Sequence, residues 1–303
     1  MIVRQRPGAL ALMYVVRGTI LPVVLPHLMV LLLFALLVQL FHDMAWLQVP
    51  EFSPAPFTLL GVALSIFLGF RNNAAYERWW EGRKQWGHMV DEIRSLARTS
   101  ESLLAGHADQ RRWLLALCAG YFHALRGRLR NEDVREDLAR WLGDDVAAAA
   151  LSHGNVSDYC LREAGRHIGE LYRQGALDTI GLQMLDRHLT ALAAIQAASE
   201  RLATTPLPFA YTVLTHRTAY LYCYLLPFGL ASGLGWLAPL FTVLLGYTFF
   251  GLDALSEQLE EPFGREANDL PLDALCRVNE ISIAESLGDE PPPPLEASKF
   301  ILS

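Results

Sequence analysis

Nine histidines, four cysteines and 32 acidic residues are the groups in this 303-residue chain that could do chemistry. Their spacing points away from catalysis. No HExxH pattern is present, so the histidines do not form a zinc-hydrolase face, and His88, His123, His167 and His188 read as ordinary helix residues. Cys118, Cys160, Cys223 and Cys276 stand far apart with no CxxC pair, as reduced core residues do. There is no phosphate-binding loop and no Ser-His-Asp constellation. In the apolar segments the acidic side chains are missing except for Asp253, near the end of the last one. These absences speak against an enzyme and turn attention to the apolar segments themselves.

The stretch "FTLLGVALSIFLGFRNNAAYERWWEGRKQW", residues 57–86, is apolar through Phe70 and then turns charged and aromatic, with no proline to end the helix. Val62, Ile66 and Phe70 recur every fourth residue, which keeps them within roughly 80° of one face while rising about 12 Å. Such a face either packs against another helix of the same chain or lines a pore, where apolar rings from several subunits make a constriction that gates by dewetting. Spacing alone leaves both open. A pore requires the helix to be repeated around an axis.

Four segments position this face. Residues 18–70 and 218–264 contain no Lys or Arg, and each block is long enough for two spans of about 20 residues with a short loop. The spans are expected at residues 19–41, 57–75, 209–230 and 236–252. The first follows Arg4, Arg6 and Arg17 but is too long for a signal-peptide core, so it reads as a retained membrane helix. Lys and Arg are absent from the connections at 42–56 and 231–235, and the positive-inside rule puts both termini and the middle region in the cytoplasm. Trp46 and Trp236 then sit at the outer interface, while Arg71, Asn72 and Asn73 mark where the second helix reaches water.

Between them, residues 80–205 form a soluble helical domain. Met89, Ile93, Leu96, Leu103 and Leu104 make one stripe; Trp113, Leu114, Leu117, Tyr121 and Leu125 make another; Leu182, Leu185, Leu189, Leu192 and Ile195 make a third. Residues 143–157 are the least periodic and read as a connection. The chain is therefore expected to be all-α, divided into an arm at 1–18, membrane helices 1 and 2 at 19–79, a cytoplasmic helical domain at 80–205, membrane helices 3 and 4 at 206–252, and a C-terminal segment at 253–303 with an extended proline-rich tail. The net charge of −7 speaks against nucleic acid as a partner and favours cations nearby.

The runs "SIFLGFRNNAAYERWWEGRKQWG", "PFAYTVLTHRTAYLYCYLLPFGL", "PLFTVLLGYTFFGLDALSEQLEEPFG" and "NDLPLD" resemble the bestrophin family, in particular its bacterial members, over nearly the whole chain. The resemblance implies a homopentamer around one central pore in the bacterial inner membrane, with a hydrophobic neck whose positions match Val62, Ile66 and Phe70. It also implies a second, cytoplasmic constriction, matched by Ile180 in "GALDTIGLQML"; read from its own surroundings, Ile180 also suits a helix-start staple. Animal members of the family are calcium-activated chloride channels with an acidic cluster after the "PFG" motif. Here Glu266 and Asp269 remain as candidate oxygen ligands beside Gln258 and Glu261, but Ala267 and Asn268 break the acidic run, and no calcium or other cofactor is expected to be required. Bacterial members conduct monovalent cations, so Na+ and K+ are the expected ions, chloride is the alternative, and a non-conducting membrane scaffold is the reading from another class.

Overall fold

The computed structural model describes the chain except for residues 4–7, 9, 11–13, 17, 45 and 47–54. Arg4, Arg6 and Arg17 of the expected basic arm, and most of the connection at 42–56, lie outside the described residues. The described residues are helical, with two isolated bridges, Ile2 to Ile301 and Ser298 to Ile301, and no strand. The chain divides into an apolar unit, Gln5–Trp79 with Pro206–Glu261, and a polar unit, Met1–Arg4 with Trp80–Thr205 and Pro262–Ser303.

The apolar unit holds α1 (Leu21–Asp43), the first part of α2 (Ala55–Leu103), α8 (Phe209–Leu234) and α9 (Ala238–Glu260). By length and composition three helical stretches among the described residues suffice to cross a membrane: Leu21–Asp43, Ala55–Leu103 and Phe209–Glu260. The third is broken by the 3-10 turn Gly235–Leu237, where Gly235 sits at φ +53°, a conformation open to glycine at little cost. Its two halves, of 26 and 23 residues, are about 39 and 35 Å long, each matched to a hydrocarbon core of about 30 Å. Val24, Leu28, Leu31, Leu64, Leu68, Tyr222, Leu226 and Phe249 form their shared core. Small residues let the helices close: a Cβ on Gly61 would stand 2.7 Å from the Tyr222 hydroxyl, and one on Gly246 would stand 2.5 Å from Leu31 Cδ2.

α2 is a single helix of 49 residues, about 74 Å long and more than twice the thickness of a hydrocarbon core. It continues unbroken from the apolar stretch into the charged one, as the lack of proline led us to expect, and runs far past residue 79.

The polar unit is built around α3 (Ala108–Arg130), whose residues Leu114 through Leu125 are all buried. A helix apolar on every side must be covered on every side. Against it pack α4 (Arg135–Leu142), α6 (Val156–Arg173), α7 (Thr179–Thr204) and α10 (Leu272–Leu287), while α5 (Asp144–Leu151) packs on α4 and α6. The expected connection at 143–157 therefore contains a helix, α5. Alanines 147–150 supply its propensity, while Gly143 at φ +79° separates it from α4; eight residues are too short to show a period. Tyr121 donates from its hydroxyl to the Leu192 carbonyl at 2.7 Å, fixing α3 to α7. Burial would raise the Glu280 carboxyl of α10, but His123 Nε2 at 2.9 Å, with Arg140 and Arg277, holds it down to about 2. The tail after α10 lies extended on its own unit: Asp289 pairs with Arg112 at 2.6 and 2.9 Å, and Arg277 Nη1 donates to the Pro293 carbonyl at 2.8 Å.

Candidate functional site

Two opposite stripes run along α2. Leu64 (2% exposed), Leu68 (0%), Arg71 (1%) and Ala75 are spaced four, three and four apart and face the core of the apolar unit. Val62 (54%), Ile66 (52%) and Phe70 (65%) lie on the other side and are exposed. The three residues singled out for their spacing thus share a face that no other helix covers among the described residues. The same stripe continues through Asn73 and Glu77, both exposed, with Asn73 Nδ2 donating to Glu77 Oε1 at 3.0 Å. A contiguous apolar face of this kind either meets lipid or meets another chain.

Behind the stripe the helix is held by polar contacts. Tyr211 of α8 donates its hydroxyl to the Phe67 carbonyl at 3.1 Å, and Ser65 Oγ donates to the Gly61 carbonyl at 2.8 Å. Arg71 departs from expectation. It does not mark the entry to water: its guanidinium is buried, paired with Asp253 of α9 and 3.8 Å from Glu260. Asp253 also accepts from His216 Nδ1 of α8 at 2.6 Å. Asn73, not Arg71, is the first polar side chain of the exposed face. This cluster escaped the reading of the sequence, although a lone carboxylate inside an apolar segment is itself a signal that a cation must come to meet it.

Ile180 stands in the first turn of α7, whose start is capped by Asp178 accepting the Gly181 N–H at 2.7 Å. Its side chain is 66% exposed, so it does not act as a staple. Of the four candidate oxygen ligands, Gln258 and Glu261 belong to the apolar unit, whereas Glu266 and Asp269 share a loop of the polar unit. Asp269 is buried and closes that loop by accepting the Glu266 N–H at 2.7 Å, and burial raises its carboxyl above the ordinary range. Among the described residues no group of three or more His, Cys, Asp or Glu side chains is arranged to hold a metal ion. Glu266 and Asp269 supply two carboxylates, one of them already engaged by the loop's own backbone, against the six to eight oxygens that calcium takes.

All four cysteines are free and buried. Burial pushes the Cys118 and Cys160 thiols up to about 12, which leaves them unreactive.

The chain matches a model of the bacterial and fungal bestrophin proteins over residues 1–285. It is 50% identical to a voltage-dependent anion channel-forming protein of Mesorhizobium japonicum, over 100% of this chain and 97% of that one. A protein of the same description from Escherichia coli K12 is 39% identical over 96% and 95% of the two chains. A crystal structure of a bacterial bestrophin homolog from Klebsiella pneumoniae superposes with a TM-score of 0.84 at 36% identity, covering 88% of this chain and 100% of that one. The relatives from Mesorhizobium japonicum and Escherichia coli are described as channel-forming proteins and not as enzymes, in keeping with a chain that offers an apolar stripe in place of a catalytic constellation. The chain belongs to the bacterial and fungal bestrophin family.

Proposed function

We propose that copies of this chain assemble as a homopentamer around one axis and form an ion channel with four membrane helices per subunit. In this reading Val62, Ile66 and Phe70 of α2 make the neck. The observation that carries it is the exposed apolar stripe, opposite a buried one on the same helix. A ring of such faces gives a narrow, weakly hydrated passage of about 12 Å, which resists ions by dewetting until it widens. The polar unit and both termini lie on the cytoplasmic side of the bacterial inner membrane, and the exposed Ile180 makes a second constriction there.

On the permeating ion, the descriptions of the relatives from Mesorhizobium japonicum and Escherichia coli support anions, and that is the first reading. Monovalent cations, the expectation from the sequence, are the second. One observation favours them: the exposed stripe continues past Phe70 into Asn73 and Glu77, so each copy adds a carboxylate directly after the neck. A non-conducting membrane scaffold is the third reading.

Purified protein in liposomes under a salt gradient tests both points. Flux above empty liposomes supports the channel, and its absence over a range of voltages sinks it. The sign of the reversal potential separates chloride from sodium or potassium.

A further inference from the structure

On the outward face of α8 an arginine stands among leucines. Arg217 shares an exposed stripe with Leu214, Leu221 and Leu225, opposite the buried Thr215, Ala219, Tyr222 and Leu226. The carboxylates of the apolar unit are engaged elsewhere: Asp253 and Glu260 with Arg71, His216 and the Leu207 N–H, Glu77 with Asn73, and Asp43 with Gln39. Glu257 and Glu261 are exposed, and among the described residues no carboxylate lies within ion-pairing distance of Arg217. A charge on an apolar membrane face needs a counter-charge, and this one must come from outside the chain.

Beside it lies an apolar groove of about 120 Å³ between α2 and α8, walled by Leu60, Ala63 and Phe67 on one side and by Leu214, Thr215 and Thr218 on the other. Both threonine hydroxyls donate back into their own helix, Thr215 to the Tyr211 carbonyl at 3.0 Å and Thr218 to the Leu214 carbonyl at 2.7 Å. The groove is therefore lined by hydrocarbon. Leu214 stands one turn before Arg217 and Thr218 directly after it, so the cation is at the rim. Arg217 is eight residues into α8, about 12 Å from its first residue, and helix side chains lean toward the N-terminus. Its guanidinium snorkels toward the near membrane surface, where lipid phosphates lie, while the groove stays at the depth of the acyl chains.

We propose that Arg217 and this groove form a binding site for one anionic phospholipid, with the phosphate on Arg217 and an acyl chain between α2 and α8. Charge complementarity selects the occupant. An apolar helix of a second copy would fill the groove and leave the arginine unmatched, whereas a lipid supplies both the chain and the anion. A zwitterionic lipid brings a cation of its own beside Arg217, and an anionic one does not. The inference needs the apolar unit to lie in a membrane and is independent of the neck and of the permeating ion.

Native mass spectrometry of the full-length protein, released from detergent with phosphatidylglycerol or phosphatidylcholine added, counts the lipid retained per copy. The wild type should retain phosphatidylglycerol in preference. Arg217→Gln should weaken that retention about fivefold, the weight of one cation at an anionic membrane surface, and Arg217→Lys should keep most of it. Both variants change a surface side chain and are expected to fold, which melting in detergent checks. Ala63→Leu fills the groove without changing the charge and should weaken retention of both lipids; where it lowers the yield of folded protein, the Arg217 pair decides alone. Retention unchanged in Arg217→Gln, or equal for the two lipids, overturns the proposal. Equal protection against melting by inorganic phosphate also overturns it, leaving an anion site without the groove. Loss of the oligomer in Arg217→Gln with lipid retention intact overturns it as well, and would pair Arg217 with a carboxylate of a neighbouring copy.

Discussion

Alanine at Phe70 and at Leu68 separates the two faces of α2. The Leu68 side chain is fully buried in the core of the apolar unit, and truncating a buried leucine costs about 2–5 kcal/mol once the cavity is counted. Phe70 is 65% exposed. Scaling the 1.5–3 kcal/mol for complete burial of such a side chain to about a third of its surface gives about 1 kcal/mol or less for Phe70→Ala. The effects on flux should run the other way. Trimming a benzyl group to a methyl in every copy widens the neck, and each 1.4 kcal/mol or so taken from the barrier multiplies flux about tenfold. Thermal unfolding in detergent reads the first quantity and liposome flux the second. Phe70→Ala should conduct at least about tenfold faster with a near-native melting temperature, while Leu68→Ala should melt well below the wild type. A Phe70→Ala protein that is as destabilised as Leu68→Ala, with flux unchanged, would refute the pore assignment and make the stripe a packing face.

Further outcomes follow from other residues. Glu77→Gln should move the reversal potential toward anions if the carboxylate after the neck attracts cations, and a null shift would remove the observation favouring cations. Glu280, depressed from an ordinary 4.5 to about 2, contributes stability that is present above pH 4.5 and lost as pH falls toward 2. Glu280→Gln should therefore lower stability near neutrality by on the order of 2–3 kcal/mol, with the gap to wild type shrinking below pH 4.5 in a series of melts. Gly229→Ala would place a Cβ 2.6 Å from the Phe57 ring, and should cost about 1–3 kcal/mol and reduce the yield of folded protein.

Much of this was legible because the signals were long or categorical. Two blocks free of Lys and Arg located α1, α2, α8 and α9, since an apolar run of that length has few alternatives. Of the stripe Met89, Ile93, Leu96, Leu103 and Leu104, four are buried as the period implied and Leu103 is half-buried. Residues 143–157 were misread because a helix of two turns shows no period. Arg71 was misread for a different reason. The first charge after an apolar run is normally where a helix meets water, and its pairing with Asp253, 182 positions away, is a tertiary fact that no local pattern carries. Val62, Ile66 and Phe70 stood out by spacing, but spacing could not say which face was covered; the exposure of all three, with Leu64 and Leu68 buried opposite, supplied that.

The central claim is that Val62, Ile66 and Phe70 meet their counterparts at an axis. Oxidative cross-linking of Ile66→Cys tests it most directly, with Met29→Cys on the exposed face of α1 as the comparison. Because the four native cysteines are buried, covalent dimers report on the introduced residue. Rapid dimer formation at position 66 from a fivefold complex, with little at position 29, is the expected result; equal, slow cross-linking at both positions from a monomeric protein would contradict the account.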